Sequence, residues 1–289
     1  MQNLITIHGL NCKAIISSMG AELKSVKHKN GIEFMWQGQP DIWPRSAPVL
    51  FPIVGKLKND KLKINHKPYA MGQHGFARDL SFIVHHQTEN SVVFQLISNQ
   101  QTREKYPFEF KLLLSYAWQN DTLICGYEVQ NTDSETMPFS IGAHPGFNIP
   151  DGDMSACELR FNGIEEPVRH LLTDGLFNHQ TETLPWQNGV LKLHTSLFDK
   201  DAIVLKNTVS TQVTLKHTLS NYQVKMDYTG FPYLGIWSKK DMQRFVCLEP
   251  WFGHADFIEG HTDMQKKEGI QLLPSHQNFK AQYALTFSA

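Results

Sequence analysis

Two runs in the middle of the chain, Phe108 to Trp118 and Thr122 to Asn131, alternate apolar with polar or small residues and are joined at Asn120-Asp121. A period of two sends successive side chains to opposite faces, so each run reads as a strand with one buried face. The Asn-Asp linker makes them a hairpin, expected near the centre of a sheet. Elsewhere short runs rich in Val, Ile, Phe, Tyr and Thr recur between turn residues, and a helical period is almost never sustained for three turns. Only Asn99 to Tyr106 reads as helix, so the class is all-β with only short helices.

The remaining strands follow from the same pattern. Before the hairpin they are Leu4 to His8, Cys12 to Ser17, Glu22 to His28 and Glu33 to Trp36, with Asn30-Gly31 as the sharpest local turn signal, then Leu80 to His86 and Ser91 to Ser98. Lys61 to Ala70 has the polar alternation of a solvent-facing hairpin. After it come Val190 to His194, Ala202 to Lys206, Gln212 to His217, Gln223 to Tyr228, Tyr233 to Trp237, Arg244 to Glu249, Gly269 to Leu273 and Gln282 to Phe287. Gly152 to Pro185 is less regular and reads as a region of insertions. With no linker, low-complexity tract or repeat, residues 1–289 are expected to form a single domain.

Three segments break the pattern. Trp43 to Val54 carries Pro44, Pro48 and Pro52, which do not fit a central strand, and reads as an ordered apolar loop bearing Arg45. Met71 to Asp79 contains Gly-Gln-His-Gly-Phe-Ala-Arg-Asp, with His74 and Arg78. Ser140 to Pro150 holds His144 in an irregular stretch, where Pro145 pushes the histidine out of the α region and Gly142 and Gly146 offer backbone freedom.

Charge excludes two partner classes. Lys+Arg of 27 against Asp+Glu of 28 leaves a net charge of −1, so nothing points to nucleic acid or an anionic membrane. No uncharged apolar run approaches the ~18 to 20 residues a spanning helix needs, and the N-terminus reads as a strand, not a signal peptide. Cys12, Cys125, Cys157 and Cys247 are scattered and form no C-x-x-C. A reducing, cytoplasmic setting and a small, weakly charged partner are expected. The oligomeric state is not legible; a homodimer is compatible with the sequence.

Residues in loops or at strand ends beside Gly, Pro or aromatics are the candidates for chemistry: Arg45, His74, Arg78, His144, Asp201 and Glu249. Each has an ordinary structural reading beside the chemical one. The arginines can fork onto carbonyls, Asp201 can cap a turn, Glu249 can end a strand in solvent, and a loop histidine is more often hydrogen-bonded than catalytic. Phe76, Phe147, Trp251 and Phe252 could offer flat apolar faces, and Trp251 beside Glu249 should raise that carboxyl by desolvation. No H-E-x-x-H, His-x-His or cysteine cluster points to a metal, no G-x-S-x-G to a serine nucleophile, and no glycine-rich loop to a phosphate cofactor. Neither metal nor cofactor is expected.

Taken together, Gly-Gln-His-Gly-Phe-Ala-Arg at 72–78, Gly-Ala-His-Pro-Gly-Phe at 142–147 and Leu-Glu-Pro-Trp-Phe-Gly at 248–253 resemble, in order and spacing, the aldose 1-epimerase (galactose mutarotase-like) superfamily. Pro-Arg-Ser-Ala-Pro-Val-Leu-Phe-Pro-Ile-Val-Gly at 44–55 is similar to its LacX-like branch. The resemblance spans nearly the whole chain. It implies a large antiparallel β-sandwich with a sugar cleft on its concave face, and an enzyme that interconverts the α and β anomers of a hexose. By the same resemblance His144 is the general acid and Glu249 the general base. It also implies that His74 and Asp201 bind substrate, with Trp251 expected beside them as an apolar face, and Arg45 and Arg78 match arginines near the sugar in the hexose-6-phosphate 1-epimerases, the alternative activity. Near neutral pH, Glu249 ionised and His144 protonated would suit the chemistry. A non-catalytic sugar-binding protein is the alternative of another class. Where LacX-like chains commonly have Gly-Arg, this one has Gly55-Lys56, exchanging a planar fork for a point charge.

Overall fold

The computed structural model describes residues 3–163, 166–242, 244–260 and 262–289. Among them the chain is built of antiparallel sheets, with one α-helix, Gln100–Lys105, and several single 3-10 turns. That helix starts where Asn99 caps it: its side chain accepts from the Thr102 N–H while Thr102 Oγ1 accepts from the Asn99 N–H. No helix among the described residues is long and apolar enough to cross a membrane.

The expected hairpin is present and central. Phe110–Gln119 pairs with Thr122–Asn131 from Gln119↔Thr122 to Phe110↔Asn131, and Asn120 takes the turn with a left-handed φ of +55°. Both strands alternate buried and half-buried residues along almost their whole length. They lie inside a nine-stranded sheet that runs Val190–Lys192, Cys157–Phe161, Gln212–His217, Gln223–Asp227, Asn278–Ser288, Thr122–Asn131, Phe110–Gln119, Ser91–Ile97, Ile83–Gln87.

A second sheet of eight strands faces it. Its order is Leu176–Glu182, Arg169–Thr173, Ile203–Lys206, Tyr233–Trp237, Phe245–Phe252, Ile141–Ala143, Val49–Leu50, with Gly146–Asn148 also pairing to Phe245–Phe252. Leu112, Leu114, Leu123 and Val129 from the first sheet and Leu234, Ile236, Val246 and Leu248 from the second belong to one continuous core. The residues between them on the second sheet point the other way. Val204, Tyr233 and Trp251 form a separate apolar cluster with Leu50, Val54, Phe177, Ala202 and Ala255 on the far face. The second sheet is therefore covered on both sides, and Phe245–Phe252 is buried at every position except the last.

Several expectations need correction. Gly152 to Pro185 is not a region of insertions: Cys157–Phe161, Arg169–Thr173 and Leu176–Glu182 are strands of the two sheets. Their alternation is hidden because Leu171, Leu172 and Leu176 are only half-buried and because the pairing shifts register between His170 and Leu172. Glu33 to Trp36 makes only isolated bridges, Lys27↔Glu33 and Met35↔Phe147, since Glu33 turns back to accept from the Val26 and Met35 N–H groups. The strand from Phe245 does not stop before Pro250 but runs through it to Phe252.

Candidate active site

The 140–150 stretch is two short strands with a two-residue break, Ile141–Ala143 and Gly146–Asn148, both paired to Phe245–Phe252. Gly142 lies opposite Trp251 and Gly146 opposite Cys247. The register is the same on both sides of the break, so His144 falls opposite Glu249. The Leu248 N–H donates to the Pro145 carbonyl. By the alternation of an antiparallel ladder, 145/248 and 143/250 are hydrogen-bonded positions, and 144/249 is the position between them, where side chains approach most closely. Pro145 and Pro250 each lack the N–H those flanking positions call for. The Ala143 carbonyl takes the Trp251 indole N–H instead, at 3.2 Å. Two prolines thus open the ladder around one cross-strand pair, and that pair is His144 and Glu249.

The glycines here have a different reason from the expected one. Gly142 and Gly146 do not adopt positive φ. A Cβ on Gly142 would sit 2.5 Å from the Trp251 indole, one on Gly235 in the strand on the other side 2.4 Å from the same ring, and one on Gly146 2.9 Å from Trp43. They make room for rings.

A cavity of about 360 Å³ opens over this point, lined among others by Trp43, Gln73, His74, Arg78, His144, Asp201, Trp237, Glu249 and Trp251. His144 Nε2 lies 3.2 Å from Glu249 Oε2, the latter 1 % exposed as a residue. The contact is not aligned as a hydrogen bond, leaving Glu249 Oε2 buried without a hydrogen-bond partner. Burial, with Asp201 adding to it, pushes the Glu249 carboxyl well above the usual carboxylate range. Burial, helped by Arg78 and Arg45, pulls His144 down to about 3. Both shifts disfavour charge, so over a wide pH range the pair holds one proton between its two groups. The expected division, Glu249 ionised and His144 protonated at neutral pH, is therefore not what burial favours in the empty cleft.

His74 enters from the 71–79 loop with φ +66°. Its Nδ1 accepts from the Gly55 N–H at 3.1 Å while its own N–H donates to the Gly55 carbonyl. With Nδ1 an acceptor, the ring proton sits on Nε2, which makes the imidazole a neutral donor. Burial, then His144 and the two arginines, keeps it uncharged by lowering its pKa well below the ordinary value.

Asp201 also has positive φ, +71°, and its Oδ1 accepts from the Ala202 N–H. Its carbonyl accepts from Arg169, a buried arginine that also binds the Leu197 carbonyl and that sequence inspection does not single out. Arg78 lines the cavity and donates to the Gln73 carbonyl; Arg45 stands beside it outside the lining, tied to Asp79 at 2.7 Å. Lys56 is not in the cavity lining; its Nζ donates to the carbonyl of Asp174, next to Gly175, which does line it.

Of the four aromatics expected to face a ligand, only Trp251 does. Phe76 and Phe147 are buried in the main core and Phe252 packs against it, with Phe231 and Phe279. The aromatic walls are instead Trp43, tilted 30° over the His144 ring at 4.9 Å, and Trp237, edge-on to it at 5.7 Å. Trp43 is fixed from behind: Glu22 Oε1 accepts from the N–H groups of Ser46 and Ala47 in the same loop. The usable signal was Trp43-Pro44, an extended dipeptide opening a proline-rich loop. Cys247 is a fourth residue missed; with His144 and Glu249 it forms the trio among the described residues whose ligand atoms could converge on a metal.

The family model for aldose 1-epimerase matches residues 3–262. The LacX protein of Lactococcus lactis subsp. lactis is 33 % identical over 281 residues, 93 % of this chain and 94 % of that one. The fold superposes on a galactose mutarotase related enzyme from Lactobacillus acidophilus with a TM-score of 0.95 and 35 % identity, over 99 % of this chain and 98 % of that one. A galactose mutarotase-like protein from Lactobacillus casei gives 0.93 and 32 %, over 99 % and 100 % of the two chains. With a matching family model over nearly its whole length and that fold around a buried His-Glu pair, the chain belongs to the aldose 1-epimerase family.

Proposed function

We propose that residues 1–289 act as one unit catalysing the interconversion of the α and β anomers of a free hexose, with His144 and Glu249 as the proton carriers. The observation that carries the reading is the 3.2 Å approach of His144 Nε2 to Glu249 Oε2 at the cavity wall. Ring opening takes a proton from the C1 hydroxyl and gives one to the ring oxygen. Both oxygens are bonded to C1, so the base and the acid must stand side by side, as these two do.

The one-proton pair has two forms, and the reaction needs both. With the ring closed, ionised Glu249 takes the hydroxyl proton while protonated His144 supplies the ring oxygen. In the open-chain state Glu249 holds a proton and His144 is neutral. After rotation about C1–C2, the reverse transfers close the ring on the other face of the aldehyde. Burial disfavours the charged form and so favours the state that exists while the sugar is open, which is differential stabilisation along the reaction. Each well-placed proton carrier contributes about 10²- to 10⁴-fold. His74 Nε2–H is a neutral donor for a sugar oxygen, Asp201 an acceptor for a hydroxyl, and Trp251 and Trp43 are apolar faces for the ring. No step calls for a cofactor.

Arg45 is engaged by Asp79, but Arg78 lines the cavity with its Nε lacking a hydrogen-bond partner, so a 6-phosphorylated hexose is the second reading. Polarimetry of fresh α-D-glucose and α-D-galactose tests the proposal. Wild type should speed mutarotation, while His144→Ala and Glu249→Gln should not. Wild type no faster than the double variant, across free and 6-phosphorylated hexoses, would remove the enzymatic reading and leave sugar binding alone, which calorimetry would then detect.

A further inference from the structure

We propose that His144, Cys247 and Glu249 form a binding site for a thiophilic divalent cation, with Zn²⁺ as the fitting ion, whose occupation shuts the anomeric site. The trio is set by strand geometry. Cys247 and Glu249 are two apart in Phe245–Phe252 and share a face, and His144 is the cross-strand neighbour of Glu249. The Nε2 or Nδ1, Sγ and carboxylate oxygen lie within 4.8 Å of one another. Gly146 is opposite Cys247, and a Cβ built there would be 3.4 Å from Sγ.

The second observation is a polar atom left over. Glu249, 1 % exposed, has Oε2, the atom that faces His144 Nε2, without a hydrogen-bond partner. Buried polar atoms cost free energy when unpaired. At zinc bond lengths of about 2.0–2.1 Å to nitrogen, 2.0–2.2 Å to oxygen and 2.3 Å to sulfur, a tetrahedral set spaces its ligand atoms by roughly 3.3–3.7 Å. The 3.2 Å between Nε2 and Oε2 is close to that, and the separations to the sulfur, up to 4.8 Å, must close by as much as about 1 Å. Of the three, His144 and Glu249 line the cavity and Cys247 is wholly buried, so an ion would enter from the cavity and take its fourth ligand there. Three protein ligands with one open position is the pattern of an accessible zinc site.

Proton balance sets the consequence. Binding displaces the thiol proton and the proton shared by His144 and Glu249, so both leave for solvent and the ion holds a thiolate, a carboxylate and a neutral imidazole. Two anionic ligands offset the ion's charge beside Arg45 and Arg78. Affinity should rise by roughly tenfold per pH unit for each proton released. The occupied pair has neither acid nor base, so anomerisation stops; that last point rests on the proposed function, whereas the binding does not.

Chelator-stripped protein titrated with Zn²⁺ under equilibrium dialysis, and with Co²⁺ for its thiolate charge-transfer absorption, tests the site. Wild type should bind one ion per chain with that band. Cys247→Ser should lose the band and weaken Zn²⁺ binding by more than about 100-fold, since losing even an outer-shell partner costs about 10- to 100-fold. Should Cys247→Ser fail to fold, judged by its melting curve, Glu249→Gln carries the same test through loss of affinity. No stoichiometric binding by folded wild type, or binding unchanged in a folded variant, overturns the site. Mutarotation with Zn²⁺ before and after chelator is read separately: an enzyme inactive throughout would refute the anomerase while leaving the dialysis result intact.

Discussion

The two sheets of the sandwich bury their strands by different rules. Phe110–Gln119 and Thr122–Asn131 alternate buried and half-buried residues and serve one core, whereas Phe245–Phe252 is buried on both faces, Val246 and Leu248 in the core, Glu249 and Trp251 toward the cleft, and Cys247 against Trp36 and Phe245. One-sided burial lets a strand be apolar on that side and indifferent on the other. Two-sided burial forces every residue to be chosen, and it allows a carboxylate to be held dry. The first sheet supplies stability, and the second spends some of it at Glu249, whose burial raises its pKa.

The largest effect expected from this contrast is on turnover. Glu249→Gln should lower kcat/KM for mutarotation by about 10²- to 10⁴-fold. Its stability should move little or upward. A carboxyl whose folded pKa is raised contributes its full stability only below its ordinary pKa and loses it as pH rises, so at neutral pH the amide melts no lower than wild type. A lower melting temperature together with near-normal activity would break the comparison.

The converse variant is Phe110→Ala in the first sheet, where the ring is wholly buried against Phe51, Phe76 and Tyr106. A loss of about 3–5 kcal/mol in denaturant unfolding is expected, with kcat per folded molecule near wild type. A kcat loss matching Glu249→Gln would show that the sheets do not divide the work.

The pH profile sharpens the same contrast by a smaller measure. Below the acid limb both His144 and Glu249 are protonated and no base remains; above the alkaline limb neither is and no acid remains. With His144 pulled down to about 3 and Glu249 raised, kcat/KM should stay flat through pH 6.5, with no acid-side inflection there. A limb near 6.5 would mean an imidazole in ordinary solvent. Smallest is Asn99→Ala at the helix cap, remote from the cleft, which should cost about 0.5–2 kcal/mol of stability and no activity.

Sequence legibility followed the same division. The central hairpin, the short helix and the strands Gln212–His217 and Tyr233–Trp237 were readable because period-two alternation, and its local loss, are signals carried by near neighbours. Arg169–Thr173 and Leu176–Glu182 were not, since a register shift and half-buried leucines blur the period. His74, Arg78, His144, Asp201, Glu249 and Trp251 were identified and all line one cavity. Arg45 stands just outside it, and the aromatic walls were mistaken for Phe76, Phe147 and Phe252 because adjacency in sequence to a histidine or glutamate does not say which face a ring takes.

What the sequence determined by itself is the all-β class, the segments that leave the strand pattern and the residue types able to carry protons, since these depend on neighbours within a few positions. Only the tertiary structure decided that Pro145 and Pro250, more than a hundred residues apart, lack their N–H groups on either side of one cross-strand position, that Trp43 and Trp237 enclose the imidazole, and that Cys247 stands beside it. Register between distant strands is set by the pairing of whole sheets, and no local pattern encodes it.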